Sequence, residues 1–280
     1  MMTRLACTLV TAVLLNSSLA FADETAEAGR RVLSRYQDAV VTVKLVVSYS
    51  MTFGSRDQQS ESKTEAIGTI IDPSGLAVIS LSTIDPSSMI KARMRGQQTE
   101  LKVDSQVKDA KLVLADGTEI AAQVVLRDKD LDVAYLLPVE KPAKPLTAID
   151  LAHAAKPQVL DEVVCLNRLG KVADRAVAVS IERIDALVER PRPFYVLASG
   201  GSSGVGSPVF SLSGTPLGVI LIRNAPAEGE ANVASVFSGT GGLGIMPIVV
   251  PAADILEDAK QALEAKKPAV EQPKQEPKQK

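Results

Sequence analysis

The stretch that decides the fold runs from Ala66 to Ser82 and reads AIGTIIDPSGLAVISLS. Two runs rich in isoleucine, leucine and valine flank a Pro-Ser-Gly triplet at 73–75, and such a triplet is typical of a tight turn. β-Branched residues suit a pleated, half-buried surface. The stretch therefore predicts a strand over 66–72, a turn, and a second strand over 76–82.

The same pattern continues on both sides of this stretch. Asp116-Gly117 separates two further apolar runs, and an Asp-Gly pair in that setting is a strong hairpin signal. Short runs of this kind predict six strands in each half of the chain, over 39–49, 66–72, 76–82, 111–115, 118–125, 133–138, 159–167, 176–184, 194–198, 208–212, 216–222 and 244–249. The polar residues 50–65 are predicted to form a long loop, and residues 85–108 carry no clear pattern.

These strands divide the chain into two halves. We expect a first unit over 23–140 with a lead-in helix, a proline-rich linker over 141–158 and a second unit over 159–250. Apolar residues four apart after Pro251 predict a helix over 251–266, and the tail 267–280 has the polar, proline-rich composition of a disordered segment. On pattern alone, two barrels and two sandwiches fit equally well.

The N-terminus has the features of a secretory signal peptide. Arg4 precedes an uncharged apolar stretch from Leu5 to Leu15, and Ala20-Phe21-Ala22 offers small residues at the cleavage positions. The sequence therefore predicts a signal over 1–22 and a location in the periplasm or outside the cell. An uncleaved anchor is the alternative; no later segment has the length of a membrane span.

Composition excludes several classes of function. The 31 basic and 33 acidic residues give a net charge of −2 and no basic run, which argues against nucleic-acid binding. The single histidine is His153, and Cys165 is the one cysteine outside the signal, so neither a zinc site nor an internal disulfide is expected. The glycine clusters at 200–206 and 239–244 lack the strand–loop–helix setting of a phosphate loop. No metal or cofactor is predicted.

Several stretches, in order, resemble the bacterial HtrA/Deg serine proteases. Residues 66–82 resemble the family's G-(S/T)-G-F-I-I-(D/N)-x-x-G segment, which ends on a histidine. Residues 114–120 and 130–136 are similar to L-x-D-G-x-x-(F/Y) and D-L-A-V-L, and residues 204–219 are similar to N-S-G-G-P-L with its downstream glycines. Weaker similarities at 163–170 and 241–247 extend the match over about 30–265. The resemblance implies an all-β fold, a chymotrypsin-like double six-stranded β-barrel with a C-terminal α-helix, and the family's PDZ domain is not expected.

The resemblance also gives positions for the catalytic residues, and two of them have changed. The family's histidine matches Ser82 and its nucleophile matches Val205, while Asp132 matches the triad acid. A seryl hydroxyl has no basic nitrogen and valine has no nucleophilic atom, so the triad cannot operate. The oxyanion loop matches Gly204, Gly206 and Ser207; the serine replaces a family glycine, so we expect a disturbed loop.

The sequence thus predicts a pseudoprotease whose former substrate cleft holds a peptide or protein partner. By the resemblance, the loop 199–207 and the strand near 237–246 form this cleft. One alternative is an active serine endopeptidase with Ser203 as nucleophile, although His153, in the linker, is remote from the position of the family's base. Another is a structural envelope protein that works with a separate protease. No oligomeric state is predicted.

Overall fold

A computed structural model describes residues 24–53, 56–87, 90, 101–199, 204–224 and 245–265. Within these ranges the first half contains β1 (Val40–Phe53), β2 (Arg56–Ile70), β3 (Ala77–Ser80), β4 (Leu101–Val113), β5 (Glu119–Asp128) and β6 (Val133–Pro138). The second half contains β7 (Glu162–Arg168), β8 (Val177–Val188), β9 (Phe194–Leu197), β10 (Pro208–Ser211), β11 (Pro216–Asn224) and β12 (Ile245–Pro251). Helix α1 spans 24–36 and helix α2 spans Ala252–Glu264, and short 3-10 turns lie at Gln37–Ala39, Leu81–Thr83 and Lys171–Ala173.

The strands close into two antiparallel barrels. The first barrel has the order β1-β2-β3-β6-β5-β4, and the second has the order β10-β11-β12-β9-β8-β7. The predicted double six-stranded barrel with a C-terminal helix is therefore confirmed, and the sandwich alternative is wrong.

The turns follow the predicted chemistry. Gly75 and Gly117 have φ values of +90° and +84°, which glycine adopts without strain. The amide of Gly75 donates to the Asp72 carbonyl at 2.9 Å, and the Leu114 amide donates to the Thr118 carbonyl across the second turn at 2.9 Å. The predicted strand over 76–82 ends earlier, at Ser80, because the next residues form the 3-10 turn Leu81–Thr83.

The predicted loop over 50–65 is wrong. Apart from 54–55, which lie outside the described residues, this segment continues β1 to Phe53 and forms most of β2. β1 pairs with β2 from Val40↔Thr69 to Phe53↔Arg56, and on its other side with β4 to Phe53↔Leu101. Backbone hydrogen bonds hold this ribbon, and most of the polar β2 side chains from 57 to 63 are exposed. A strand without an apolar face has no periodic signal in its sequence.

Each barrel has its own apolar interior, and a third cluster joins the two. The joining cluster includes residues of α1, α2 and both barrels, and its aromatic rings Tyr36 and Phe210 stack with centroids 4.8 Å apart. Cys165 is fully buried in the interior of the second barrel, as expected for a structural cysteine. Because the sequence contains few aromatic residues, the apolar interiors are packed mainly by shorter side chains.

A buried arginine also ties the two barrels together. Arg168, at the end of β7, donates from Nε to the Val40 carbonyl at 2.6 Å and from its two terminal nitrogens to the carbonyls of Gln37 and Arg175, both at 3.1 Å. Arg175 in turn pairs with Glu65 of β2 at 2.7 Å. These contacts fix the end of β7 and the following turn against the first barrel.

The predicted signal over 1–22 and the predicted tail over 267–280 lie outside the described residues. The lead-in helix expected at the start of the first unit is present over 24–36, and the helix predicted over 251–266 is present over Ala252–Glu264. In the part of the chain that the structure describes, no helix combines the length and apolarity required to cross a membrane.

Candidate functional site

Asp132 lies between the barrels, directly before β6. It is 5% exposed and has a φ of +59°, a left-handed conformation that Asp tolerates better than most residues. Its carbonyl accepts the Leu81 amide at 2.8 Å, so the 3-10 turn that carries Ser82 is fastened to this backbone. The turn and the acid are thus brought together by the pairing of β3 with β6.

Both carboxylate oxygens of Asp132 accept hydrogen bonds. Oδ1 accepts the Ser82 amide at 2.8 Å and the Ser82 hydroxyl at 2.6 Å. Oδ2 accepts the Ser80 hydroxyl and, at 3.0 Å, the Ile222 amide of β11. A carboxylate has about four lone-pair sites, so these four donors satisfy it.

Burial is the main influence on the acidity of Asp132. Desolvation raises the pKa of its carboxyl group, and the hydrogen bonds from Ser80, Ser82 and Ile222 act in the opposite direction. Each of these donors is a hydroxyl or a backbone amide. A protease would require a basic nitrogen here, hydrogen-bonded to the acid on one side and to a nucleophile on the other.

The single histidine is not part of this arrangement. His153 lies in the linker with its side chain 88% exposed, and its Nδ1 is 3.0 Å from Oδ2 of Asp150. His153 therefore lies in the linker, as expected from the sequence, and is not among the groups that contact Asp132.

The loop from Gly204 to Ser207 packs against β2. Gly204 and Gly206 have φ values of +97° and +98°. A side-chain carbon on Gly206 would lie 2.1 Å from the Ile67 carbonyl oxygen, so only glycine fits there. The Thr69 hydroxyl donates to the Gly206 carbonyl at 2.6 Å.

The expectation that Ser207 disturbs this loop is wrong as far as backbone strain is concerned. Positive φ values occur at the glycines 204 and 206, and Ser207 is not among the residues with positive φ. Ser207 is fully buried; its amide donates to the Gly204 carbonyl at 3.3 Å, and its carbonyl accepts the Ile220 amide at 2.8 Å. Val205 is half-buried, and Ser203 lies outside the described residues.

The end of β11 presents an edge beside Asp132. The amide of Gly206 donates to the Ile220 carbonyl at 2.7 Å, and the Ile220 amide donates to Ser207, so the backbone of Ile220 faces this loop. Backbone groups of alternate residues in a strand point to the same side. Ile222 and Asn224 therefore face the same side, as the bond from the Ile222 amide to Asp132 shows.

The partner strand supports this assignment. Ile222 lies opposite Pro247 and Gly218 lies opposite Pro251 in β12. Proline has no amide hydrogen, so these positions suit pairs that are not hydrogen-bonded. In the described ranges no strand pairs with the side of β11 away from β12 beyond Ile220, where the Ile222 carbonyl and the Asn224 backbone lie.

The predicted cleft elements are only partly described. Of the loop 199–207, residues 200–203 lie outside the described ranges, and so do residues 237–244 of the predicted cleft strand. Residues 245 and 246 belong to β12 and pair with the last two residues of β11. Among the described residues, the edge that faces Asp132 belongs to β11, and the cleft strand near 237–246 stays a prediction.

The sequence interpretation missed three contributors to the site: Ser80, Thr69 and the Ile222 amide. Ser80 could have been found, because it lies two residues from Ser82 in the predicted strand over 76–82 and alternate residues of a strand share a face. Thr69 and Ile222 act across the barrel interface, and no local pattern indicates such a contact.

Comparisons with known proteins place the fold. No family model and no curated protein matches the sequence. Among solved structures, the HtrA-type protease AlgW with a Ser-to-Ala substitution matches in a complex with a tripeptide, with 16% identity over 83% of this chain and a TM-score of 0.51. Its complex with a decapeptide matches with 16% identity over 84% of this chain and a TM-score of 0.53. This chain spans 62% and 66% of those two chains, which is less than two thirds of their length. The chain therefore has the trypsin-like double-barrel fold of HtrA-type proteases.

Proposed function

We propose that this chain is an exported pseudoprotease that binds extended peptides or protein segments in the former substrate cleft without cleaving them. The observation that carries the proposal is the environment of Asp132. Its carboxylate accepts two seryl hydroxyls and two backbone amides, and the residue that the resemblance aligns with the catalytic histidine is Ser82. Proton abstraction from a nucleophile requires a base with a pKa near the operating pH, and a serine hydroxyl cannot supply it.

The nucleophile position supports the same conclusion. Val205 lies between the two positive-φ glycines, on the loop where the family carries its serine. A valine side chain cannot form an acyl-enzyme intermediate. Loss of both the base and the nucleophile therefore favours binding over turnover.

Peptide capture is supported by the edge of β11. An extended peptide can add as a strand to such an edge, where main-chain hydrogen bonds supply affinity and neighbouring side chains supply selectivity. The Ile222 carbonyl and the Asn224 backbone lie on the side of β11 that faces Asp132, where no described strand pairs with them. The HtrA-type neighbours were solved with a tripeptide and a decapeptide, which is consistent with a peptide ligand for this fold.

Export rests on the sequence of the leader. Residues 1–22 have the charge, apolar stretch and small residues that a signal peptidase recognises. We propose that the protein acts in the periplasm or outside the cell. N-terminal sequencing of the protein recovered from the periplasm tests this: a first residue at 23 supports export, and a retained Met1 contradicts cleavage.

Labelling with a fluorophosphonate tests the lack of a nucleophile. We expect no covalent adduct on the purified full chain, while an intact HtrA-type protease under the same conditions is labelled. The rival function, an endopeptidase that uses Ser203, predicts an adduct that disappears in Ser203→Ala. Ser213→Ala, in the exposed β10–β11 turn, is the matched control and is expected to behave as the parent chain. Labelling that depends on Ser203 contradicts the proposal.

A further inference from the structure

Carboxyl groups gather where helix α2 meets the turn between β5 and β6. A cavity of about 380 Å³ separates the helix from this turn and from the segment before β9. Its charged lining groups are Asp128, Arg192, Asp254, Glu257 and Asp258. One arginine therefore faces four acidic side chains, three of them on α2 and one, Asp128, at the end of β5.

Asp128, at the end of β5, is held in a fixed orientation. Its Oδ1 accepts the amides of Asp130 at 2.7 Å and of Leu131 at 2.8 Å. With Oδ1 occupied by these two amides, the other oxygen of Asp128 is oriented for a proton-bearing partner.

Asp258 of α2 supplies that partner. It lines the same cavity as Asp128, and its Oδ2 is buried and accepts no hydrogen bond from any described residue. Two carboxyl groups can form a hydrogen bond only when one of them carries a proton. Burial first, and then Asp128, raise the pKa of Asp258 from 3.8 to about 6.

The other charges around the pair act in both directions. Arg192 favours the ionised form of Asp258, whereas Glu257 disfavours it. Asp254, one turn earlier on α2, also has a raised pKa, chiefly through burial, and its Oδ2 is likewise buried without a donor among the described residues. Tyr135 of β6 donates to the Ile255 carbonyl at 2.7 Å, so the helix stays anchored to the first barrel beside the acidic pair.

We propose that Asp258 and Asp128 form an acid-closed latch that fastens the C-terminal helix to the first barrel. With a proton between them, the two carboxyl groups are joined by a hydrogen bond. Without it, two negative charges face each other across the helix–barrel contact and weaken it. The latch makes docking of α2 depend on the pH of the surrounding compartment.

The direction of the pH dependence follows from the raised pKa of Asp258. Its stabilising contribution is complete below the ordinary pKa of an aspartate and is lost as the pH rises through about 6. The α2 contact is therefore tightest below pH 3.8 and loosens as the pH rises towards neutral.

Hydrogen exchange of backbone amides in the full chain tests the latch. After correction for intrinsic rates, we expect protection of α2 amides to fall by about tenfold between about pH 5 and about pH 7.5, while β6 amides change little. In Asp258→Asn, an amide N–H donates to Asp128 at every pH, so the protection of α2 is expected to be nearly constant. Glu264→Gln, at the exposed end of the same helix, is the matched control and is expected to keep the parental dependence.

Two results overturn the latch. One is that the protection of α2 amides in Asp258→Asn depends on pH as strongly as in the parent chain. The other is that Glu264→Gln loses this pH dependence. If Asp258→Asn does not fold, a ¹³C titration of the parent chain's carboxyl groups decides the question. The latch requires an Asp258 carboxyl that titrates at about 6, and an Asp258 that titrates near 3.8 excludes it.

Discussion

The Ser82 hydroxyl donates a 2.6 Å hydrogen bond to Oδ1 of Asp132. Because the other oxygen of this carboxylate accepts the Ile222 amide, the acid connects the 3-10 turn of the first barrel to β11 of the second. The residue that the resemblance aligns with a catalytic acid thus serves as a structural link, with serine hydroxyls as its side-chain donors. Removing the link is expected to affect the stability of the whole barrel interface.

Asp132→Ala should therefore destabilise the protein. It removes the acceptor of four hydrogen bonds and places alanine at a φ of +59°, which is strained for a residue with a β-carbon. We expect the free energy of unfolding to fall by about 3 kcal/mol in urea titrations. Asp130→Ala, exposed in the same turn, is the control and should change little. Equal effects of the two substitutions would show that the hydrogen bonds of Asp132 are not important.

Two glycines with positive φ should respond very differently to alanine. At Gly206 the added carbon meets the Ile67 carbonyl oxygen at 2.1 Å, whereas at Gly117 nothing lies within 4 Å. Both substitutions strain the backbone, but only Gly206→Ala also forces the barrels apart. Thermal and urea unfolding should show that Gly206→Ala lowers the free energy of unfolding by at least ~2 kcal/mol more than Gly117→Ala does. Similar costs at the two sites would contradict the packing of this loop on β2.

The ion pair between Glu65 and Arg175 should make part of the stability pH-dependent. The hydrogen bond from Arg175 is the main cause that lowers the pKa of Glu65. A lowered pKa contributes stability above the ordinary pKa of 4.5, and this contribution is lost as the pH falls through the folded-state value. After allowance for solvent screening, we expect Glu65→Gln to lower the free energy of unfolding by about 1 kcal/mol or less near pH 7. In strong acid we expect it to have no effect on this free energy.

The control for this ion pair is Glu61→Gln, because Glu61 is exposed on the same strand. Its effect on urea unfolding should be small at every pH. A cost of Glu65→Gln that persists unchanged in strong acid would assign the effect to packing and not to the ion pair.

Restoring the two missing catalytic groups should not restore full proteolysis. In a trypsin-like site the oxyanion is held by the amide of the nucleophile and by the amide two residues before it, here those of residues 205 and 203, and this sequence has Ser207 where the family has the second glycine of that loop. Loss of one oxyanion donor typically lowers kcat by about 10²-fold to 10³-fold. We expect Ser82→His with Val205→Ser to cleave casein at least ~10²-fold more slowly than an intact HtrA-type protease.

The parent chain and the single Ser82→His variant are the controls for this experiment. Both should lack measurable cleavage because Val205 remains in place. Proteolysis by the double variant within about tenfold of the intact enzyme would show that its oxyanion loop is functional.

The sequence predicted those parts of the fold that have local signals. Buried strands such as β6, with all six residues apolar or proline, and turns that require glycine, such as that at Gly117, were recognisable. The β1–β2 ribbon was not, because its polar strand is stabilised by backbone pairing and not by burial of one face. At the site, Ser82, Asp132 and Val205 were identified through the family resemblance, whereas the contributions of Thr69 and Ile222 depend on how the two barrels meet.

The proposed function requires the edge of β11 to hold a peptide that is not cleaved. Asn224→Pro removes the backbone amide on the open side of the strand without removing a bond to β12, and Asn224→Ala retains that amide. The measurement is incubation of a random decapeptide library with the full chain and both variants, followed by mass spectrometry of the bound and free peptides. We expect the parent chain and Asn224→Ala to retain a subset of intact peptides and Asn224→Pro to lose it. Cleaved peptides, or the same retained subset with Asn224→Pro, would contradict the account.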